Sequence, residues 1–468
     1  MLKTIKTKFN SFIESFSHGI RREVISITYP AFIELVLSTL FGMVDMIMVG
    51  QLSSSAIAAV GLTNQPFMIM LALFAAVNVG TTTLVAWNVG ADKPENASAI
   101  TRQIIALNFV VGVVISIIGV VFAEQTVIFM GANEDTLKDA TAYFQIVASG
   151  LVFQAVTMGI TAALRGAGET KIPMLYNIGS NLLNVFGNYI LIYGKLGVPK
   201  MGVAGAALST TLSRVVACFI GLYIIYSKKS VVSVLRTTSF KYDKGIIKKV
   251  LSIGTPSAIE QFVIQGGLMM FARTVSSLGT ADFAAHQIGL NIAGLSFSPS
   301  MAFGVAATTL VGQSLGAGDK KKAKEYADII HHMAIFVSCV VGVLFLLFSH
   351  PLARLYNKEI GVVALAGLVL KILAISQPGQ STQLALAGAL RGAGDTMYPL
   401  YASIFGIWIF RVLLAYVFVS IFKWGLVGAW AALVLDQYTR AAIVYIRYRS
   451  GKWLDKKVNA QKAEELGL

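Results

Sequence analysis

Four carboxylates lie inside long apolar segments of this 468-residue sequence, and they are its residues best suited to chemistry: Glu34, Asp45, Glu260 and Asp436. A charged side chain at the centre of a lipid bilayer costs about 2.5–3.5 kcal/mol even on a lenient insertion scale, so such groups are rarely present without a function or a partner. A carboxylate in that setting can bind a metal cation, exchange a proton or attract an organic cation. Each of the four is therefore a candidate for cation binding or for ion pairing.

Helical spacing indicates how some of these acids are arranged. Glu34 and Asp45 are eleven residues apart, close to three helical turns, which places both on one face of a helix about 16 Å apart. Two acids on one face suit organic cations, but an ion pair between Glu34 and an arginine of the same helix bundle is an equal alternative. Asp436 and Arg440 are one turn apart and are predicted to form a structural ion pair.

The composition shows which elements must position these residues. The chain is 56% hydrophobic and only 13% charged, whereas a soluble protein of this length carries about 25% charged residues. A helix needs about 20 apolar residues to span a bilayer. Twelve such stretches occur, at 24–49, 60–86, 103–123, 141–163, 174–194, 203–226, 248–275, 284–312, 328–349, 361–386, 398–420 and 426–446. The sequence therefore predicts an all-α integral membrane protein with twelve transmembrane helices.

An internal duplication organises the twelve predicted spans. Shifting the chain by 226 positions (256 − 30) places Pro30 on Pro256, and the segment Leu164-Arg165-Gly166-Ala167-Gly168 on Leu390-Arg391-Gly392-Ala393-Gly394. Six spans return the chain to the side on which it started, so the second copy inserts in the same orientation as the first. Two parallel six-helix bundles that face each other across a central cavity are the predicted architecture. A duplication of this kind in so apolar a chain points towards a transporter.

The distribution of basic residues predicts the orientation in the membrane. Segments on the side of the N-terminus carry 27 Lys and Arg residues, and the loops on the opposite side carry six. By the positive-inside rule both termini are cytoplasmic, in a plasma or inner membrane. The net charge of +15 is then expected to face anionic membrane lipids and not nucleic acid. The predicted regions are an amphipathic N-terminus (1–23), a first lobe (24–226), a cytoplasmic linker (227–247), a second lobe (248–449) and a cytoplasmic tail (450–468).

Motifs for enzymatic chemistry are weak in this chain. Gly312-Gln313-Ser314-Leu315-Gly316 fits the pattern of a serine-hydrolase elbow, but that motif needs a strand-to-helix turn, and this copy ends a predicted span. The sequence has no phosphate-binding P-loop, so ATP does not drive the protein directly. Cys218 and Cys339 lie in separate spans, and nothing in their placement suggests a disulfide or a metal site. A transporter without a cofactor is expected.

Several short motifs together resemble the multidrug and toxic compound extrusion (MATE) transporters. They are Val44-Asp45-Met46-Ile47-Met48-Val49-Gly50, the two Leu-Arg-Gly-Ala-Gly turns, Ala285-His286-Gln287-Ile288 and Ala307-Thr308-Thr309-Leu310-Val311-Gly312-Gln313. The resemblance runs from about residue 24 to residue 448. It implies a V-shaped pair of six-helix bundles that exports organic cations and drugs in exchange for Na⁺ or H⁺, and a monomer is expected.

The resemblance also assigns roles to single residues. It places the family's cation-coupling aspartate at Asp45, which would exchange a proton or, among clustered neutral oxygens, bind Na⁺. Asn184 and Asn188 match positions that form a polar network with that aspartate in some relatives, although structural hydrogen bonding is nearly as good an interpretation. Proton-coupled archaeal members have Asp at the second of these positions, so Asn188 removes one titratable group and leaves the coupling ion open.

Glu260 is the other acid to which the resemblance gives a role. It matches a glutamate that resembles the Na⁺ ligand of sodium-driven members, which pair it with an Asp where this chain has Gln380. A carboxylate and an amide oxygen can still hold Na⁺, with less charge. An alternative is that Arg411 neutralises Glu260. The candidate substrate-binding residues are Glu34, Glu260, Gln380 and Arg411, and the candidate coupling residues are Asp45, Asn184, Asn188 and Glu260.

Two other functions remain open from the sequence. A related flippase for lipid-linked saccharides would be expected to have a strongly cationic cavity, and the acids of the first and seventh spans argue against it. A non-transporting membrane receptor or enzyme is the third possibility, but no reactive group of residues supports it.

The two repeats also differ chemically, since Asp45 corresponds to Phe271 and Asn188 to Leu414.

Overall fold

The computed structural model describes residues 19–227, 230–236 and 243–456. Helices account for all the regular structure in these ranges. They are α1 (Gly19–Gly50), α2 (Ser54–Gly90), α3 (Pro94–Val121), α4 (Ala123–Phe129), α5 (Glu134–Ser149), α6 (Leu151–Gly166), α7 (Lys171–Tyr193), α8 (Gly202–Tyr226), α9 (Lys244–Ser276), α10 (Thr280–Gly316), α11 (Lys320–Arg354), α12 (Ile360–Gly392), α13 (Met397–Ile421) and α14 (Gly425–Arg449). Short 3₁₀ helices lie at Val234–Arg236, between α8 and α9, and at Lys452–Asp455, after α14.

A helical segment lies at each of the twelve predicted spans. The fourth span is bent, because α5 and α6 meet at Gly150 at an angle of 45°. The eleventh, α13, is largely π-helical, at Ile404–Leu413 and Val417–Ile421. The predicted amphipathic segment 1–23 lies mostly outside the described residues.

The helices at the twelve predicted spans differ in how apolar they are. In the described ranges, eight helices are long and apolar enough to cross a membrane, or nine if the bent pair is one span. The three remaining long helices are α7, α9 and α14. Asn184 and Asn188 lie on α7, Glu260 on α9, and Asp436 on α14. These three helices thus carry four of the polar residues singled out above, whereas Glu34, Asp45, Gln380 and Arg411 lie on helices that are apolar enough to cross a membrane.

The duplication is visible in equivalent contacts. The hydroxyl of Thr82 on α2 donates a hydrogen bond to the carbonyl of Ala162 on α6, at 3.0 Å. The hydroxyl of Thr308 on α10 donates to the carbonyl of Gly388 on α12, at 2.9 Å. Both residues of the second pair lie 226 positions after those of the first (308 − 82 and 388 − 162). The same polar contact therefore holds the second and fourth spans together in each repeat.

The chain forms two compact units, which divide between Ile33 and Glu34 and again between Gln265 and Gly266. We call Glu34–Gln265 the N-terminal unit, and the described residues 19–33 and 266–456 the C-terminal unit. Both divisions fall inside helices, in α1 and α9, because the first part of each helix packs with the other repeat. The lobe boundaries at 227–247 stay a prediction from the sequence.

Each unit has its own apolar core. In the N-terminal unit, Val77, Ile104 and Ile160 belong to one buried cluster. In the C-terminal unit, Phe303 and Leu386 belong to another. These cores fix the helices from which the polar side chains of the site project.

Candidate functional site

Asp45 lies in a group of polar residues contributed by four helices of the N-terminal unit. It is half-buried near the end of α1. The side-chain amide of Asn188 on α7, which is fully buried, donates a hydrogen bond to Asp45 Oδ1. Arg214 on α8 and Tyr143 on α5 both interact electrostatically with Asp45. The carboxylate thus accepts a hydrogen bond from an amide and is also attracted electrostatically by a guanidinium.

Asn184 has a different partner from Asn188. Its side-chain amide donates to the hydroxyl of Thr210 on α8, at 3.1 Å. The backbone carbonyl of Asn184 accepts a hydrogen bond from the hydroxyl of Ser209, at 2.8 Å. Of the two predicted network residues, the structure brings Asn188 to Asp45 and uses Asn184 to join α7 to α8.

The side-chain oxygen of Asn188 is the unsatisfied polar atom of this group. Asn188 Oδ1 is buried and has no hydrogen-bond partner among the described residues. Hard cations such as Na⁺ prefer oxygen ligands, both carboxylate and amide. Asp45 and Asn188 together therefore present oxygens that could bind a small cation, while Asp45 alone could exchange a proton.

Glu34 forms an ion pair, as one of the two sequence-based interpretations proposed. Its Oε1 lies 2.9 Å from a guanidinium nitrogen of Arg165 on α6. The same oxygen accepts a hydrogen bond of 2.6 Å from the amide of Asn177 on α7. Glu34 is only 5% exposed, and its Oε2 has no hydrogen-bond partner among the described residues. This acid is neutralised by a residue of the Arg-Gly-Ala-Gly turn.

The contacts of Glu34 and Asp45 are two parts of one polar ladder between α1 and α7. Glu34 bonds Asn177, Ser38 bonds Asn181, and Asp45 bonds Asn188, each pair separated by 143 residues in the sequence. A constant separation means that the two helices run parallel and in register. Beyond the pair of Asp45 and Asn188, the hydroxyl of Tyr193 donates a hydrogen bond to the side-chain oxygen of Gln51, at 2.8 Å.

Sequence reasoning identified the ends of this ladder but not its middle. Asn177 and Asn181 were not among the predicted site residues. The signal was present, because Asn177, Asn181, Asn184 and Asn188 recur every three or four residues and so form one polar stripe on α7. Such a stripe in a membrane helix predicts a polar partner on a neighbouring helix.

In the C-terminal unit, Asp436 on α14 pairs with two arginines. It lies 2.5 Å from Arg411 on α13 and 2.9 Å from Arg440 on its own helix. All three side chains are buried. The predicted pair of Asp436 and Arg440 is confirmed. The acid that pairs with Arg411 is Asp436, which it shares with Arg440. The sequence alternative that paired Arg411 with Glu260 did not foresee that partner.

The backbone around Arg411 is unusual. Arg411 lies in the π-helical segment Ile404–Leu413, and π-helical turns are rare and are frequently found at functional sites. Gly406 in the same segment faces the ion pair, because a Cβ there would lie 2.6 Å from Asp436 Oδ1. The absence of a side chain at Gly406 gives Asp436 and its arginines room to pack against α13.

The remaining predicted residues lie in different units. Glu260 on α9 is 1% exposed and belongs to the N-terminal unit. Gln380 on α12 is 2% exposed and belongs to the C-terminal unit. Gln380 Nε2 has no hydrogen-bond partner among the described residues. A joint cation site of Glu260 and Gln380 stays a prediction.

The serine-hydrolase pattern is not a catalytic elbow. Ser314 lies inside α10, and its hydroxyl donates to the carbonyl of Leu310 one turn earlier, at 2.8 Å. A nucleophile elbow needs a sharp turn between a strand and a helix, and a continuous helix offers none.

The MatE family model matches the chain twice, at residues 30–190 and 256–417. The probable multidrug resistance protein NorM of Thermotoga maritima is 32% identical over 456 residues, which cover 96% of each chain. The multidrug resistance protein PmpM of Pseudomonas aeruginosa is 28% identical over 450 residues, which cover 94% of each chain. A solved structure of a multidrug resistance MATE family transporter of the MOP superfamily, in an outward-facing conformation, has a TM-score of 0.87. It is 24% identical and covers 94% of this chain and 97% of its own.

These helices and relatives define a multi-pass membrane transporter. The chain belongs to the MATE family of multidrug efflux transporters. The two family matches begin at Pro30 and Pro256, which confirms the duplication found in the sequence. The predicted fold class, an all-α membrane protein of two helical repeats, is confirmed as well.

Proposed function

We propose that this protein is a secondary active antiporter that exports organic cations, including drugs, in exchange for Na⁺ or H⁺. The observation that carries the proposal is the half-buried carboxylate of Asp45, held by the amide of the fully buried Asn188. A carboxylate within a membrane-spanning helix is costly unless it binds a cation or a partner. The names of the relatives, which are multidrug resistance proteins, support drugs as the exported class.

In this proposal Asp45 is the coupling group. Binding of H⁺ or Na⁺ would neutralise its charge and so change its attraction for Arg214, with which it interacts. Asn188 would orient the carboxylate and offer its unsatisfied oxygen to a bound Na⁺. Asn184 would act indirectly, by fixing α7 against α8 through Thr210.

The other candidate residues divide into binding and structural roles. Glu260 would attract the organic cation or Na⁺ in the N-terminal unit, and Gln380 would offer an amide ligand in the C-terminal unit. Glu34 and Arg411 already have ion-pair partners, so their proposed role is to hold helices in place. The protein would lie in the cell membrane, among lipids, with both termini in the cytoplasm.

Transport in vesicles tests the proposal. Purified protein is reconstituted with a fluorescent organic cation, and export is compared under an imposed Na⁺ gradient and an imposed pH gradient. Wild type should respond to one of the two gradients, and Asp45→Asn should not respond to that gradient. Asp135→Asn is the matched control, because Asp135 is an exposed acid of the same unit at the start of α5. Gradient-driven export by Asp45→Asn at the wild-type rate would contradict the coupling role.

A further inference from the structure

Three buried side chains of the C-terminal unit carry N–H groups without an acceptor. His286 on α10 and Trp430 on α14 are both 0% exposed. Both ring nitrogens of His286, Nε1 of Trp430 and Nε of Arg411 have no hydrogen-bond partner among the described residues. Buried polar groups in folded proteins nearly always have partners. Several unpaired N–H groups in one region therefore indicate a site that can bind a hydrogen-bond acceptor.

These side chains are neighbours around the ring of Phe271. The ring centroid of His286 lies 5.5 Å from that of Phe271 and 5.7 Å from that of Trp430. The guanidinium of Arg411 lies 5.9 Å from the centroid of the Phe271 ring. Arg411 also acts electrostatically on His286. The unpaired donors thus belong to one cluster, built from α10, α13 and α14 against Phe271 of α9.

The charged side chains next to this cluster have a net positive charge. Arg411 and Arg440 share the single carboxylate of Asp436. Asp436 is the one acid among the described residues within ion-pair distance of Arg411. Two guanidiniums and one carboxylate leave a net charge of +1 on side chains that are almost completely buried. A buried charge without a counter-charge is strongly unfavourable.

We propose that Arg411, Trp430 and His286 bind a halide ion, which is chloride in the cell. A monovalent anion would accept the unpaired N–H groups and would cancel the surplus charge. The surroundings favour a small ion without attached groups, because His286 and Trp430 are fully buried.

The duplication shows that this cluster is particular to the second repeat. The positions equivalent to His286, Arg411 and Trp430 in the first repeat are Val60, Val185 and Ala204. Phe271 itself corresponds to Asp45. One repeat therefore has a carboxylate at this position, and the other has an aromatic ring beside unpaired donors. The anion site does not depend on which cation or drug the protein transports.

A halide titration of the purified full-length protein tests the site. Chloride or bromide replaces gluconate at constant ionic strength and pH, and the thermal unfolding midpoint is recorded. In parallel, iodide replaces gluconate while tryptophan fluorescence is measured. We expect a saturable rise in the midpoint and a saturable component of fluorescence quenching. A wild-type protein without a saturable response to any halide would overturn the proposal.

Two tryptophans provide a matched pair of variants. Trp430 and Trp453 are both buried in the C-terminal unit, but Trp453 Nε1 donates to the carbonyl of Tyr448, at 2.9 Å. Trp430→Phe should weaken halide binding about tenfold or more, the usual effect of losing a hydrogen bond to a charged group. Trp453→Phe should leave the affinity unchanged. Equal halide affinities in the two variants would exclude Trp430 from an anion site.

Arg411→Gln tests the surplus charge separately. This variant leaves Asp436 and Arg440 as a neutral pair, so we expect a folded protein whose unfolding midpoint no longer depends on halide. A saturable halide effect of wild-type size in folded Arg411→Gln would place the anion elsewhere. If that variant does not fold, the comparison of the two tryptophan variants still decides.

Discussion

Glu34 Oε1 lies 2.9 Å from the guanidinium of Arg165, so the acid of the first span is joined to the Arg-Gly-Ala-Gly turn that precedes the fifth. The side chain of Glu34 is 7% exposed and that of Arg165 is 22% exposed. An acid held in this way stabilises the N-terminal unit and is poorly suited to release its partner for a drug. This contact distinguishes between the two roles that the sequence left open for Glu34.

Glu34→Gln should therefore act mainly on stability. We expect the free energy of unfolding to fall by about 1–3 kcal/mol, because the positive charge of Arg165 loses its counter-charge. Thermal unfolding in detergent measures this change. The double variant Glu34→Gln with Arg165→Gln should lose less stability than the sum of the two single variants. Unchanged stability together with a loss of drug affinity would instead indicate a substrate-binding role for Glu34.

Asn188 and Asn184 should differ in their effect on transport although they are one turn apart. Asn188→Ala removes the hydrogen bond to Asp45, whereas Asn184→Ala removes the one to Thr210. A hydrogen bond to a charged group contributes about 1.5–3 kcal/mol, so Asn188→Ala should reduce ion-coupled export roughly ten- to hundredfold. Asn184→Ala should have a smaller effect on coupling. Initial rates of gradient-driven export in vesicles make the comparison, and equal losses would contradict it.

The positions of the helices could be predicted because long apolar runs are a strong signal. The bend at Gly150 could not, since hydropathy measures the length of an apolar run and not its direction. The π-helical backbone around Arg411 was also beyond the sequence, because it depends on how α13 packs against α14. Gly406 makes room for Asp436 there, and this role can be recognised only once the positions of the two helices are known.

The site shows the same division between local and distant pairing. Asp436 and Arg440 are one helical turn apart, so their pairing followed from spacing alone. Arg411 comes from another helix, and only the folded chain shows that it shares Asp436. The ladder of α1 and α7 lies between these cases. Its asparagines form a visible stripe in the sequence, but their partners Glu34, Ser38 and Asp45 could be assigned only once the two helices were seen in register.

The orientation predicted from the basic residues can be tested with exposed cysteines. Lys321 at the start of α11 and Lys358 after that helix are both exposed, and they lie on opposite predicted sides. In a variant without Cys218 and Cys339, Lys358→Cys should react with a membrane-impermeant thiol reagent in intact cells. Lys321→Cys should react only after the cells are opened. Labelling of Lys321→Cys in intact cells would reverse the predicted topology.

The two repeats should also fail differently when their acids are neutralised. Asp45 corresponds to Phe271, and Asn188 to Leu414, so the second repeat has neither the carboxylate nor its amide partner. Phe271 is buried at 1% exposure, in contact with His286, and it cannot bind a small cation as a carboxylate does. The coupling chemistry proposed for Asp45 is therefore expected to have no counterpart at the equivalent position.

Asp45→Asn and Glu260→Gln provide the measurement. Asp45→Asn should abolish the dependence of export on the ion gradient while drug binding in detergent is largely retained. Glu260→Gln should chiefly weaken the binding of the organic cation, by roughly ten- to hundredfold, because a buried carboxylate is worth about 1.5–3 kcal/mol to a charged partner. Asp135→Asn should change neither quantity, since its carboxylate is exposed. If both variants show identical defects in drug affinity and in ion dependence, the two acids share one function. If Asp45 couples the ion and Glu260 binds the drug, removing one acid should leave the role of the other intact.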